Sequence, residues 1–472
     1  MKVVVIGAGP AGITAAYELV KNGIEVEVFE AGPSPGGMAR TIQLWNQRVD
    51  LGPHRFFSKD RRVNELWLEV VGSDYQIIDR LTRILYQRKF YDYPLSPLNA
   101  FKNIGLRESI ICLSYYLKEV VSPTKQNGSF EAWVTHRFGK RLFEIFFEPY
   151  SEKLWGISCS ELDSDFASQR IKKLSLFEAI WSAIVKNKHT KHRTLLEQFA
   201  YPSIGTGMVY ERMAHFVENH GGRVYFKTQV ERINVERYRA SALDLIDGRT
   251  CDGYDHIIST MPISLLISRL KNVPQEVKDA AAGLRFRNTI LVYLNVDATD
   301  LFPDQWIYVQ SPEFRVGRVT NYRNWSPQLY GNEKSTILAM EYWCNEEDPL
   351  WGASEDNLVR LATDELKRMG FSKGWILGGH IERIPRCYPV YRKGYRQKIK
   401  VIQAYLKTIQ GLSVIGRYGS FKYNNQDHSI LMGLQAAANI AKGEHNDLWS
   451  INTDYEDYQE SFVITKMGLV KE

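Results

Sequence analysis

The sequence predicts an α/β protein in which separated stretches of the chain form one parallel sheet, with a helical region and an antiparallel sheet interleaved between them. A short apolar run, a glycine-rich turn, a helix and a second apolar run follow one another within the first thirty residues. Apolar residues from 97 to 185 recur mostly at helical spacing, and strand-like runs return near 285–297, 338–343 and 412–415. Because 472 residues exceed what one compact core holds, about two intertwined domains are expected.

The N-terminal stretch carries the most specific motif. Lys2–Ile6 has the composition of a strand, Gly7, Gly9 and Gly12 form a Gly-x-Gly-x-x-Gly sequence, and a second strand ends at Glu30. Gly7 permits the tight turn, Gly9 lets backbone approach a pyrophosphate, and Gly12 lets the helix pack closely on the sheet. The helix N-terminus offers free N–H groups to phosphates, and Glu30 can accept hydrogen bonds from a ribose diol. This order of parts predicts a dinucleotide-binding site, the alternative being an ordinary βαβ turn.

The loop after Glu30 indicates which dinucleotide is bound. It contains two adjacent glycines, Gly36 and Gly37, and then Arg40, whose planar donors suit phosphate oxygens. This Gly-Gly-x-x-Arg-Thr sequence resembles the flavoprotein superfamily of amine oxidases, phytoene desaturases, protoporphyrinogen oxidases and UDP-galactopyranose mutases. The resemblance implies FAD, held on a Rossmann-type, glutathione-reductase-like domain, with Gly37 and Arg40 near its phosphates.

Two further segments extend the resemblance around the cofactor. It implies that a turn containing Gly52, Pro53 and His54 lies against the flavin ring, and that the backbone of Val230 holds the adenine. His54 is interpreted as a local hydrogen-bonding residue rather than an acid–base catalyst, because the sequence names no partner for it.

The C-terminal part has a strand that ends in Gly416 and Arg417 and leads into a helix predicted from about Ile430 to Lys442. The start of that helix offers free N–H groups to the cofactor. The polar residues expected to cap the helix and bind the cofactor are Asn425 and Gln426. The Gly-Arg-x-Gly pattern followed by Tyr423 is most similar to UDP-galactopyranose mutases, which implies that Arg417 touches FAD and Tyr423 touches a substrate phosphate.

The same family comparison implies two more substrate-binding residues. Phe130–Tyr150 shows the clearest helical spacing and leads into a Trp-Gly pair, where Trp155 would stack on a base or sugar. In the family, an arginine that follows a threonine or glycine and precedes a strand binds the substrate's pyrophosphate. Arg318 matches this pattern and would have the same role. A buried tryptophan and a surface salt-bridging arginine are the alternatives. The arginine segment that follows Trp-Gly in the mutases is not found, since Gln169–Leu174 is basic but different.

The resemblance leaves two activities open. The first is mutase chemistry on a nucleotide-activated sugar, in which reduced flavin supplies its N5 atom as the nucleophile, so no catalytic protein residue is expected. NAD(P)H is one possible source of the reducing equivalents. The alternative is an amine-oxidase-like or protoporphyrinogen-oxidase-like enzyme that passes hydride from substrate to FAD and then to oxygen or another acceptor. A binding protein without turnover is disfavoured by an intact cofactor motif at both ends.

The motifs divide the chain into three regions. Residues 1–95, 200–265 and 405–450 are assigned to a discontinuous FAD-binding domain. Residues 96–199 are assigned to a helical substrate or cap domain, and residues 266–404 to an antiparallel-sheet substrate domain.

Composition limits the partners. The net charge of +6 is spread along the sequence, so nucleic-acid binding is not inferred, and an anionic small-molecule substrate is sufficient to account for it. The resemblance implies that this substrate is a nucleotide sugar. Five cysteines without Cys-x-x-Cys spacing predict free thiols in a reducing compartment and no metal site. No signal peptide or transmembrane segment is predicted. We therefore expect a cytoplasmic protein, with peripheral membrane contact and a homodimer left open.

Overall fold

Two large sheets organise the protein. The computed structural model describes residues 1–93, 95, 97–166, 198–452, 462–466 and 468–471. The strands are, in chain order, β1 (Lys2–Ile6), β2 (Glu25–Phe29), β3 (Thr41–Leu44), β4 (Gln47–Asp50), β5 (Tyr75–Asp79), β6 (Thr82–Tyr86), β7 (Lys89–Asp92), β8 (Gln198–Pro202), β9 (Arg223–Tyr225), β10 (Val230–Glu236), β11 (Arg239–Leu245), β12 (Thr250–Cys251), β13 (His256–Ser259), β14 (Arg285–Val296), β15 (Trp306–Val309), β16 (Arg318–Asn321), β17 (Thr336–Cys344), β18 (Ile376–Val390), β19 (Leu412–Val414), β20 (Phe462–Thr465) and β21 (Gly468–Lys471).

Helices cover these sheets. They are, in chain order, α1 (Pro10–Lys21), α2 (Arg61–Val71), α3 (Pro97–Ile104), α4 (Leu106–Val121), α5 (Phe130–Phe138), α6 (Lys140–Phe146), α7 (Glu148–Trp155), α8 (Gly207–Asn219), α9 (Ile263–Ser268), α10 (Gln275–Ala282), α11 (Pro327–Tyr330), α12 (Glu355–Arg368), α13 (Tyr395–Leu406), α14 (Gly416–Gly419) and α15 (Gln426–Ala441). Among the described helices, none combines the length and the apolar character that a bilayer crossing needs.

The first large sheet is parallel and is built from distant parts of the chain. Its order is β19-β13-β1-β2-β9, and every neighbouring pair is parallel. Val3, Val4 and Val5 of β1 are fully buried, as is typical of a parallel strand covered on both faces. Pro10 stands at the first turn of α1, where its missing N–H costs nothing. The predicted strand, glycine turn, helix and strand are confirmed.

The second large sheet has the order β18-β14-β17-β16-β15-β6-β7, in which only β15 and β6 run parallel. The predicted strands near 285–297 and 338–343 are β14 and β17, its buried centre. β6 and β7 belong to this sheet, and they lie within residues 1–95, the part of the sequence assigned to the FAD-binding domain. Their alternating pattern predicts strands, but pairing with β15 is a contact across more than 200 residues that the local sequence does not encode.

The helical region lies where the sequence predicts it, but it is divided into shorter helices than the apolar spacing indicates. Phe130–Tyr150 forms three helices rather than one, because Gly139 has a φ of +81° and Pro149 starts a new first turn. The expected helical pattern of residues 167–185 and the basic Gln169–Leu174 segment lie outside the described residues.

Candidate active site

A cavity of about 760 Å³ is lined by residues from both large sheets. Ile6 and Thr260 contribute from the carboxyl ends of β1 and β13, and Tyr308 and Tyr388 contribute from β15 and β18. The carboxyl ends of parallel strands are where ligands bind in open α/β sheets. The volume is in the usual range for small-molecule and cofactor sites.

Two glycine loops converge at one wall of this cavity. Gly9 caps α1 in an extended conformation, and no described atom lies within 4 Å of the position a Cβ would occupy there. A Cβ on Gly12 would lie 2.0 Å from the carbonyl oxygen of Gly7, so only glycine permits this approach of helix to turn. A Cβ on Gly37 would lie 3.2 Å from the Cα of Gly9. The result is a backbone-lined space at a helix N-terminus, which fits the pyrophosphate of FAD.

Glu30 stands at the end of β2, where the ribose of the nucleotide is expected. Its Oε2 accepts a hydrogen bond from the N–H of Ala8 at 2.7 Å, and its Oε1 accepts one from the N–H of Gly32 at 2.6 Å. Glu30 lines the cavity together with Val230, the first residue of β10. Because a carboxylate has about four lone-pair sites, Glu30 keeps acceptor capacity for a ribose diol.

Arg40 is placed differently from expectation. The cavity lining includes Gly37, Met38 and Ala39 but not Arg40. The Nε of Arg40 donates to the carbonyl oxygen of Gly37 at 3.0 Å. Its side chain therefore holds the glycine loop in shape rather than reaching the cavity.

The predicted flavin-facing turn is anchored by a residue that the sequence analysis missed. Gly52 has a φ of +109°, and Pro53 and His54 line the cavity. Immediately before them, the buried Asp50 carboxylate accepts three hydrogen bonds, from Thr41 Oγ1 at 2.6 Å, from Tyr201 Oη at 2.7 Å and from the Thr206 N–H at 3.1 Å. An acid at the end of an apolar strand, directly before a glycine-containing turn, is the signal that could have identified it.

The pKa of the Asp50 carboxyl is raised to about 7, because the effect of burial exceeds that of the hydrogen bonds from Thr41, Tyr201 and Thr206, which lower it. In the unfolded chain an aspartate titrates near 4, so between pH 4 and pH 7 the folded state binds more protons and stability falls as pH rises. We expect the free energy of unfolding of the wild type, minus that of Asp50→Asn, to fall by on the order of 2–4 kcal/mol across this window. Urea unfolding of both proteins at a series of pH values measures this difference in the free energy of unfolding. A difference that stays constant or rises with pH would refute the prediction.

His54 is held in its neutral form. The pKa of its imidazole is lowered to about 3, chiefly by burial and also by the nearby charges of Arg318 and Arg417. Its Nδ1 is shielded from solvent and has no hydrogen-bond partner among the described residues. A neutral imidazole in the lining of the cavity suits contact with a bound ring and does not suit proton donation at neutral pH.

The C-terminal turn joins the same end of the cavity. Gly416 has a φ of +85°, and Arg417 donates from Nη1 to the carbonyl oxygen of Asn424 at 2.7 Å. Asn425 caps α15 in a reciprocal arrangement with His428. The helix therefore begins at Gln426 rather than at the predicted Ile430, because the cap sits four residues earlier than the apolar pattern suggested.

Gln426 connects this helix to the flavin-facing turn. Its Oε1 accepts hydrogen bonds from Thr206 Oγ1 at 3.1 Å and from Tyr210 Oη at 2.6 Å. Its Nε2 donates to the carbonyl oxygen of His54 at 3.4 Å. Gln426, Asn425, Gly416 and Arg417 all line the cavity.

Arg318 lines the cavity but is paired with an acid. Its Nε and Nη2 donate to Oε1 and Oε2 of Glu341 at 2.7 and 2.6 Å. The Glu341 side chain is 2% exposed and that of Arg318 is 16% exposed. Two parallel charge-assisted bonds orient the guanidinium and neutralise much of its charge, so a substrate anion meets only its remaining N–H groups.

Tyr423 and Tyr388 form an aromatic wall beside these arginines. Their rings stack at a centroid distance of 5.5 Å, and the Arg417 guanidinium lies 4.3 Å from the Tyr423 ring centroid. Trp155 is 1% exposed and packs edge-on behind Tyr423 at 5.9 Å. Trp155 does not line the cavity, so the expected direct stacking on a substrate ring is not what the structure has. It supports the wall from behind instead.

Known proteins share this architecture. The sequence matches the model of the family described as flavin containing amine oxidoreductase over residues 10–382. Coproporphyrinogen III oxidase of Staphylococcus aureus (strain NCTC 8325 / PS 47) is 23% identical to this chain over 474 residues, covering 93% of this chain and 98% of that protein.

Solved structures agree in fold. Reduced UDP-galactopyranose mutase superposes with a TM-score of 0.83 at 22% identity, covering 94% of each chain. Putrescine oxidase bound to putrescine superposes with a TM-score of 0.63 at 14% identity, covering 94% of this chain and 99% of that chain. The predicted resemblance to this flavoprotein superfamily is confirmed. Because the family match spans well over half of the sequence, the chain belongs to the flavin containing amine oxidoreductase family and is an FAD-dependent enzyme.

Proposed function

We propose that this enzyme isomerises the ring of a nucleotide-activated sugar between its pyranose and furanose forms, without net oxidation. The carrying observation is the end of the cavity where Arg417 lies against the stacked rings of Tyr388 and Tyr423, in a lining that contains four arginines. The cavity-lining arginines are Arg55, Arg318, Arg386 and Arg417.

The charge of this end favours an anion with more than one negative group. Glu341 offsets Arg318, but no described carboxylate forms an ion pair with Arg417 or Arg386. A pyrophosphate accepts bidentate hydrogen bonds from guanidinium groups, and a base or sugar can pack on the Tyr388 and Tyr423 rings. A nucleotide sugar supplies both parts in one molecule.

The protein groups at the site are poorly suited to covalent catalysis. His54 is neutral because its pKa is lowered to about 3, and burial raises the pKa of the nearby Cys387 thiol to about 11. Neither is an activated nucleophile at neutral pH. Reduced FAD, when bound, supplies a nucleophilic ring nitrogen for the anomeric carbon. The glycine loops, Glu30 and Val230 would hold its dinucleotide part, and the turn at Pro53 and His54 would hold its ring. The protein side chains then have two tasks, which are to orient the sugar and to bind the negative charge of the pyrophosphate.

Arg386 provides a test of the anionic substrate. Arg386→Gln should raise the KM for a nucleotide sugar by about 10- to 100-fold with little change in kcat, because a charge-assisted hydrogen bond contributes about 1.5–3 kcal/mol. Arg386 has a φ of +55°, so a suitable control is Arg237→Gln at an exposed position with a φ of +47°. Steady-state kinetics of both variants measure the effect. An unchanged KM for Arg386→Gln would remove this residue from the site.

The experiment for the function itself compares the two flavin redox states. Purified enzyme is assayed oxidised, and again after reduction by dithionite or NAD(P)H, with UDP-, GDP- and dTDP-sugars, and isomers are separated by chromatography. The proposal expects an isomeric product only from the reduced enzyme. Steady peroxide formation from an amine or a porphyrinogen, with no isomer from any nucleotide sugar, would refute it.

The second candidate is oxidation of a porphyrinogen through FAD. The observation that favours it is the curated relative named coproporphyrinogen III oxidase, which aligns over 93% of this chain. The arginine-rich end could bind carboxylates of such a substrate as it could bind phosphates. The same assay decides between the two candidates.

We also propose that the enzyme is located in the cytoplasm. The five free cysteines support this location.

A further inference from the structure

Helix α4 presents an apolar face to solvent. The side chains that form it recur at spacings of three or four residues and are exposed by 79% at Leu106, 59% at Ile110, 46% at Leu113, 54% at Leu117 and 64% at Val120. The opposite face of the helix packs inward through the buried Cys112 and Glu119. Scattered exposed apolar residues are normal, but a continuous stripe along four turns marks an interaction surface.

The exposed charges of residues 105–128 have one sign. Arg107, Lys118 and Lys125 are exposed. Both acids of the helix are already engaged: Glu108 pairs with Arg141, and the Glu119 carboxylate accepts hydrogen bonds from the N–H and Oγ1 of Thr124. Residues 105–128 therefore carry no acid that could balance these cations.

We propose that this face, residues 106–125, docks on an anionic lipid surface. A helix with an apolar stripe, flanking Lys and Arg residues and no free acid lies in the interface of a bilayer, with the stripe among the acyl chains and the cations at the headgroups. A second copy of the chain fits less well. In a two-fold dimer through this face, the cations Arg107, Lys118 and Lys125 of one copy would meet the same set of cations on the other copy. Residues 105–128 offer no acid to separate them.

The stripe follows a cavity-lining residue, Tyr93, closely in sequence. Tyr93 lines the cavity and is 41% exposed, and α3 and α4 follow it directly. Docking through α4 would hold this part of the enzyme at the lipid headgroups. The surface has no role in the proposed chemistry, so its test does not depend on the substrate.

Co-sedimentation with vesicles tests the proposal. The flavin-loaded enzyme is mixed with vesicles of equal phosphatidylglycerol and phosphatidylcholine, and with vesicles of phosphatidylcholine alone. We expect binding to the anionic vesicles that weakens with salt, and at least tenfold weaker binding to the neutral vesicles. The double variant Ile110→Glu/Leu117→Glu should lose at least tenfold in binding to anionic vesicles, and Lys118→Glu should weaken it to a smaller extent.

The control variant is Ile246→Glu. Ile246 is 61% exposed, close to the 59% of Ile110, and lies outside α4. It should bind vesicles as the wild type does, and all variants should retain full flavin content. Absence of wild-type binding to anionic vesicles would overturn the proposal, as would equal losses in the Ile110/Leu117 variant and the control. So would sedimentation velocity showing a dimer that Ile110→Glu dissociates while vesicle binding is unchanged.

Discussion

Gly9→Val is expected to give a folded protein that no longer retains flavin. The backbone of Gly9 is extended, with φ −69° and ψ 176°, which valine adopts without strain. No described atom lies within 4 Å of the position of the new Cβ, so the side chain enters open space at this point. The added methyl groups instead fill the cavity beside the α1 N-terminus, where the pyrophosphate would lie. We expect FAD affinity to fall by about 100-fold, the upper end of an overpacking penalty, because neither backbone nor phosphate can move aside.

The matched control is Gly352→Val. Gly352 also has open space within 4 Å of its Cβ position but lies outside the cavity. Flavin content after purification, FAD titration of the apoprotein and circular dichroism are compared for the two variants. A Gly9→Val protein that keeps stoichiometric flavin would contradict the placement of the phosphates. Loss of helical signal would show instead that Gly9 acts in folding.

Arg318→Met is expected to destabilise the protein strongly. It leaves the Glu341 carboxylate, 2% exposed, without its two charge-assisted bonds. Removing one partner of a buried pair costs about 3–5 kcal/mol, because the remaining charge is uncompensated. The melting temperature should drop by several degrees, as followed by flavin fluorescence and by circular dichroism.

A second substitution separates this structural effect from substrate binding. Arg318→Met/Glu341→Gln removes the buried charge and should recover most of the lost stability. The double variant should still show a raised KM if Arg318 also contacts substrate. A double variant no more stable than Arg318→Met would contradict the account of the pair.

Local sequence was sufficient for the nucleotide half of the fold. The strand, glycine turn and helix from Lys2 to Lys21 depend on neighbours in sequence, and all were predicted. The pairing of β6 with β15 was not predictable, because it joins residues more than 200 positions apart, whereas β6 and β7 pair with each other as neighbours in sequence. The same holds for α15, whose start was set by the Asn425 cap rather than by its apolar spacing.

For the site, the sequence predicted residue types better than the contacts they make. Arg318 was expected to bind phosphate, but its partner Glu341 comes from a different strand and was not considered. Trp155 was expected in the cavity, but helix packing turns it toward the back of Tyr423. Asp50 was missed because its role consists of hydrogen bonds from distant segments, including Tyr201. Charged and aromatic side chains can fill several roles, and only the assembled fold decides among them.

The central claim is that the enzyme isomerises a nucleotide sugar without net oxidation. Its most direct test is to measure, in the absence of oxygen, how many product molecules form per flavin. Enzyme reduced by one equivalent of dithionite is mixed anaerobically with UDP-, GDP- and dTDP-sugars in turn, while the flavin spectrum and the product are followed together. A redox-neutral isomerase should form many molecules of isomer per flavin while the spectrum stays that of reduced flavin. The contradictory result is no turnover by the reduced enzyme, with one oxidised product per flavin when the oxidised enzyme is used.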